Sequence, residues 1–197
     1  MQNKKNNQSG YTIIETMISI TIFLVVIMIG MSALLNVNLI HKKSQDMRSI
    51  LDNLSFIMED MSRNLRTGYD YYCGSGVSEI PLSCENGKTL FFEEATGETG
   101  KTDDQWGYEI KFNGDTYDIN KSTDGGSTWI QLNPEEVKLS SDSIFIVTGA
   151  EPPNGDLQQP YVIIKLVGEI TYRGVKSPFS LQTSVSQRKS DNIVISP

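Results

Sequence analysis

The sequence predicts an α+β fold: a long N-terminal α-helix, its first half transmembrane and its second half amphipathic, packed on an antiparallel β-sheet head. Three observations predict it. Met17 to Leu35 is a 19-residue apolar run broken only by Ser19, Thr21, Gly30 and Ser32. Apolar residues then recur every three or four positions from Met47 to Leu65. Beyond Gly68, aromatic and β-branched runs alternate with Gly, Asn, Asp and Pro, as short strands and their turns do.

From Thr16 to Ile40 no side chain is charged. Those 25 residues, as a helix rising about 1.5 Å each, would reach about 37 Å, enough to cross a hydrocarbon core of about 30 Å with some tilt. A secretory signal peptide is the plainer reading. Its apolar region should be about 7 to 15 residues long and end at a small-x-small site. This run is longer and offers no such site, so it is expected to remain in the mature protein.

Ahead of the run lies a polar stretch, Met1 to Gly10, with Lys4 and Lys5, followed by Tyr11, Thr12, Ile13, Ile14 and Glu15. A short basic leader, a Gly, an aromatic residue, a Glu four positions later and uninterrupted apolarity beyond resemble the cleavage and methylation motif of type IV pilins and pseudopilins. The resemblance implies that a prepilin peptidase cuts between Gly10 and Tyr11, leaving 187 of 197 residues, and that the new amino terminus on Tyr11 is N-methylated. It implies a subunit-assembly role for Glu15, paired with the amino terminus of a neighbouring subunit. It also implies contacts with other pilin or pseudopilin subunits, with an inner-membrane assembly platform, and with membrane lipid before assembly. A carboxylate at the edge of hydrocarbon costs at least about 2.5 kcal/mol and therefore seeks a partner. The plainer role for Glu15 is to complement the helix N-terminus, worth about 0.3 to 1 kcal/mol.

One feature departs from many major pilins, which carry a Pro in the apolar helix: here the first Pro is Pro81. Gly30 is then the intrinsic weak point, at about 1 kcal/mol relative to Ala, or else a site of close helix packing. Charge does not fix the orientation, because Lys4 and Lys5 on one side face Lys42, Lys43 and Arg48 on the other. The expected organisation is a leader over 1–10, a transmembrane or filament-core helix over 11–40, an amphipathic continuation over 41–67 and an exported head over 68–197. A single helix from Tyr11 to Thr67 would be about 85 Å long.

Met47, Ile50, Leu51, Leu54, Ile57, Met58, Met61 and Leu65 form the stripe expected to meet the sheet, and Thr67 and Gly68 supply the stop. Six to eight strands are expected. The candidates are Thr89 to Glu93, Tyr108 to Phe112, Thr116 to Asn120, Thr128 to Leu132, Glu136 to Leu139, Ser143 to Val147, Tyr161 to Val167, Glu169 to Tyr172 and Phe179 to Arg188, at least one of them a loop. Asn113 and Gly114 read as a two-residue hairpin, and Tyr161 to Val167 as a central strand covered on both faces.

Cys73 and Cys84 read as a disulfide in an exported acidic head, with two free thiols of a cytosolic protein as the alternative. Ser122, Asp124, Gly126, Thr128 and Trp129 resemble the Asp-box hairpin of sialidase-type propellers. This copy stands alone, so it predicts only a hairpin in which Asp124 bonds turn amides, Gly125 and Gly126 adopt positive φ and Trp129 packs inward. Phe179 to Arg188 resembles, more loosely, the last strand of some minor pilins.

A net charge of −7, from 24 acidic against 17 basic side chains, disfavours tight nucleic-acid binding. A single His, His41, and two cysteines leave little for zinc sites or a Ser-His-Asp triad, and no cofactor is expected. The adjacent acids Glu93 and Glu94, Asp103 and Asp104, and Glu135 and Glu136 point to opposite faces when in strands and make no catalytic dyad. The sequence therefore predicts a minor pilin or pseudopilin, a structural subunit of a type IV pilus or type II secretion pseudopilus and not an enzyme. It would sit once through the inner membrane, head outside the cytoplasm, before reaching a cell-surface pilus or periplasmic pseudopilus. The alternative is a membrane-anchored binding or adhesion module, with DNA uptake through Arg173, Lys176, Arg188 and Lys189 as one form of it, and a tethered enzyme less favoured still.

Overall fold

The computed structural model describes residues 10–98, 100–151, 158–172 and 174–188. The fold is α+β: among the described residues, one helix, α1 (Ile13–Thr67), and ten strands in a curled antiparallel sheet. The chain divides into two compact units, 1–46 and 47–197.

In the first unit α1 is apolar and bare. Its large apolar side chains from Met17 to Ile40 keep 39 to 71 % of their surface exposed among the described residues. Two of its hydroxyls turn back on the helix: Ser19 donates to the Glu15 carbonyl and Thr21 to the Met17 carbonyl, each at 2.8 Å. A hydroxyl turned back on its own helix removes the cost of taking it into an apolar medium.

In the second unit the remainder of α1 is amphipathic as the three-and-four spacing predicts. Ile50, Leu54, Ile57, Met58, Met61 and Leu65 are buried, and Met47 and Leu51 pack at the margin of the same core. A polar clasp joins this helix to the sheet. Asn64 Nδ2 donates to Asp60 Oδ2 (3.1 Å) and to the Tyr108 hydroxyl (2.9 Å), while Lys121 Nζ meets Asp60 Oδ2 at 3.2 Å and lies 4.4 Å above the Trp106 ring. Burial pushes the Tyr108 hydroxyl well above its usual pKa, so it stays protonated. Phe92 stacks on Tyr108 at 5.9 Å between ring centres.

The strands are β1 (Tyr69–Tyr72), β2 (Cys84–Gly87), β3 (Thr89–Glu93), β4 (Trp106–Phe112), β5 (Tyr117–Ser122), β6 (Ile130–Gln131), β7 (Val137–Leu139), β8 (Ile144–Thr148), β9 (Tyr161–Tyr172) and β10 (Val175–Ser186). β9 is the hub. β10 pairs with it along its whole length, and its other side is shared by β8, opposite Tyr161 to Lys165, and β7, opposite Gly168 to Ile170. From β7 the sheet runs through β5, β4 and β3 to β1; from β8 it runs to β2; β6 hangs on β5.

Each of the nine candidate stretches contains strand, and the sheet exceeds the six to eight expected. β1 and β2 were not legible. β1 starts at Tyr69, one residue past the helix stop, with Asp70 at φ 53°, and β2 is the polar Cys-Glu-Asn-Gly, with no apolar alternation. Tyr161 to Val167 and Glu169 to Tyr172 are one strand, because Gly168 continues the ladder between Leu139 and Phe179. Its coverage is one-sided: Val162, Ile164 and Leu166 are buried, whereas Ile163, Lys165 and Val167 are half-buried. The β4–β5 connection has four residues, not two. Asn113 Oδ1 accepts from the amides of Asp115 (3.1 Å) and Thr116 (3.0 Å), an Asx turn that takes up two more residues.

Replacing Leu54, fully buried between helix and sheet, by Ala is expected to cost about 2–5 kcal/mol. Denaturant unfolding of the detergent-solubilised chain, followed by near-UV circular dichroism of the head aromatics, measures it.

Candidate functional site

The site with the most pointed chemistry is the start of α1. Thr12 caps the helix: its carbonyl accepts from the amides of Glu15 (3.1 Å) and Thr16 (3.2 Å), and its Oγ1 lies 3.4 Å from the Glu15 amide. Thr12 and Glu15 stand in the T-x-x-E spacing of a capping box, a sequence signal that the reading of Glu15 did not use. Among the described residues the Glu15 carboxylate takes no hydrogen bond and no ion pair. It is exposed and one turn from an 18-residue stretch of α1 with mean hydropathy 2.7, none of it buried. That helix is long and apolar enough to cross a membrane.

Gly10 and Tyr11 precede the cap, both exposed. A methyl group added at Gly10 would touch nothing within 4 Å, and the same holds at Gly30, so the chain's own fold requires glycine at neither position. Lys4, Lys5 and Ser9 lie outside the described residues.

Residues 5–31 match the family model described as the prokaryotic N-terminal methylation motif. The chain carries a type IV pilin-like signal. The match covers the leader residues from Lys5, the Gly10–Tyr11 junction, Glu15 and the apolar helix as far as Met31. Comparison with curated proteins and with solved structures finds no match. The signal supports a protein of the pilin or pseudopilin type, suggests a structural subunit, and implies prepilin peptidase processing and assembly with other pilin subunits. With the apolar helix, it fits anchoring in a membrane.

In the head, Cys73 and Cys84 form the disulfide, their Cα atoms 5.7 Å apart. It ties the loop after β1 to β2, and Gly87 lies so close that any side chain there would collide with Cys73 Sγ. A bridge over a loop of this size adds about 2–3 kcal/mol.

The Asp-box-like hairpin forms as predicted. Ser122 Oγ donates to Asp124 Oδ1 (2.7 Å), the Thr128 amide donates to the same oxygen (2.9 Å), and Thr128 Oγ1 donates to Asp124 Oδ2 (2.5 Å). Those donors, Thr128 first, hold the Asp124 pKa down to about 2. Gly125 and Gly126 take φ of 62° and 80°, and Trp129 meets Phe91 edge-on at 5.8 Å. Both carboxylate oxygens are therefore spent within the turn, and among the described residues no group of three or more His, Cys, Asp and Glu is placed to hold a metal ion.

Two of the four residues of the basic patch lie among the described residues. Lys176 Nζ is paired with Glu169 Oε1 at 2.6 Å, Arg188 is anchored through its amide to the Arg66 carbonyl (2.9 Å), and Arg173 and Lys189 lie outside the described residues. The adjacent acids separate. Glu93 is buried while Glu94 is turned aside onto Thr96, and Glu93 Oε1 accepts instead from Gln105 Nε2 at 2.9 Å. Burial, more than the neighbouring Asp104 and Asp70, raises the Glu93 pKa, and its Oε2 lacks a donor.

A folded-state pKa above the unfolded value means that the native state holds its proton more tightly. Stability is then greatest below pH 4.5, the ordinary value, and falls as pH rises through the folded pKa. Glu93→Gln should therefore raise the melting temperature at pH 7, an advantage that shrinks to nothing or reverses below that value; melting curves across pH 3 to 8 check it.

Proposed function

We propose that the chain is a prepilin that becomes a minor subunit of a type IV pilus or type II secretion pseudopilus. A membrane-embedded peptidase removes residues 1–10, and the new amine on Tyr11 is methylated. The observation that carries this reading is an exposed, apolar, membrane-length helix that begins three residues after Gly10 and bears in its first turn one carboxylate, unpartnered among the described residues.

The chemistry supports each step. Because neither steric room nor backbone conformation requires glycine at position 10, an outside enzyme that threads this junction through its own active site accounts for it. Cutting there deletes Lys4 and Lys5, taking the formal side-chain charge from −7 to −9, and places a cationic amine four residues from Glu15. In lipid, Glu15 costs at least about 2.5 kcal/mol. Among packed helices, the amine of an adjacent subunit answers it, and the apolar faces that lipid had covered meet their own kind. Gly30 allows two such helices to approach closely, or gives the place where one loosens on leaving the bilayer. The disulfide is consistent with a head outside the cytoplasm.

Intact-mass measurement on the membrane fraction of cells that make the peptidase tests processing. The wild-type chain should lack residues 1–10 and carry one added methyl, while Gly10→Leu should stay at its full 197 residues. A wild-type chain that retains residues 1–10 in those cells contradicts the proposal.

A further inference from the structure

The edge of the sheet carries an unassigned docking surface. β10 pairs only with β9 among the described residues, so along its twelve residues alternate N–H and C=O groups face away from the sheet with no strand to receive them. Its two halves differ. The first holds Lys176 and Pro178, a charge and a missing donor that obstruct pairing; the second, Ser180 to Ser186, has neither charge nor proline. Beside that second half lies a groove of about 340 Å³, with Ser55, Met58, Ser62 and Glu59, the last paired with Arg63 at 3.9 Å, on the α1 wall and Leu181 and Thr183 of β10 on the other. An unpaired ladder asks for an extended peptide, and the groove asks that one face of that peptide be apolar.

We propose that the occupant is β10 of a second copy of this chain, paired antiparallel about Thr183. That register sets Leu181 opposite the partner copy's Val185, Gln182 opposite Ser184, and Ser180 opposite Ser186, so apolar meets apolar on the helix-facing side and small polar meets polar on the exposed side. Pro178 falls opposite Arg188, which ends the ladder and limits the assembly to a pair. Two chains of formal charge −7 repel over most of their surfaces, and Ser180 to Ser186 is a stretch where they meet without opposing like charges. The second copy also brings its own Leu181 and Val185 to the groove beside Met58. This goes beyond the proposed processing and does not depend on it.

The test uses full-length protein in its membrane, with the Cys73–Cys84 bridge intact. Residues directly opposed in an antiparallel pair have Cα atoms about 4.5–5.5 Å apart, within disulfide range. Under mild oxidation Thr183→Cys should give a covalent dimer at least about tenfold more efficiently than Lys176→Cys, because this register does not bring position 176 opposite the same position of the second copy. Adding Gln182→Lys with Ser184→Lys, both at exposed positions, sets like charges opposite one another and should abolish the cross-link without altering the near-UV circular dichroism. Gln182→Lys with Ser184→Glu sets opposite charges there and should restore it. Equal cross-linking from Thr183→Cys and Lys176→Cys, or indifference to the charge pattern, would overturn the proposal.

Discussion

The constraint on which the rest depends is an apolar helix whose side chains stand exposed among the described residues. From Met17 to Ile40 every large apolar side chain stands open, at 39 % exposure or more. At about 25 cal/mol per Å² such a surface is not tolerated in water, so lipid or other helices must cover it. Ser19 and Thr21 have already been neutralised by bonds to their own backbone. Glu15 has not, and under the proposed function its charge is the reason the helix seeks a partner and does not stay in lipid.

The head solves a different problem by ordinary means. The amphipathic stretch of α1 from Met47 onward buries one face on a sheet organised around β9, and the clasp of Asp60, Asn64, Tyr108 and Lys121 fixes the helix rotation that hydrophobic burial alone would leave loose. The acidic side chains serve structure where they can be followed. Asp124 closes a turn, Glu169 neutralises Lys176, and Asp60 holds Lys121. These side chains already have their uses in holding the head together, which is what a structural subunit requires.

The fold was legible where periodicity was strong. The helix ends at Thr67 as its stop signal predicts, and the buried stripe is the one that three-and-four spacing picks out. Legibility failed where pairing, not pattern, makes the strand. Cys84 to Gly87 is a strand because β8 and the disulfide hold it, and nothing in Cys-Glu-Asn-Gly says so. Asn113 defeated the two-residue hairpin because its side chain competes for amides that the shorter loop would leave to the ladder. At the helix start the Gly-Tyr-Thr-Ile-Ile-Glu string was legible as part of the methylation motif that residues 5–31 match, since a linear motif needs no fold to be read. The open edge on β10 could not be read at all, because a free edge is a property of topology.

The central claim is that α1 is held in the membrane only until other helices replace lipid around it, with Glu15 as the residue that makes the exchange favourable. Its most direct measurement is the partition of processed chain between the membrane and the sheared-fibre fraction, comparing wild type with Glu15→Ala. The account predicts that both are processed and methylated alike but that only wild type passes into fibres, with Glu15→Ala left in the membrane. Equal entry of Glu15→Ala into fibres would contradict it.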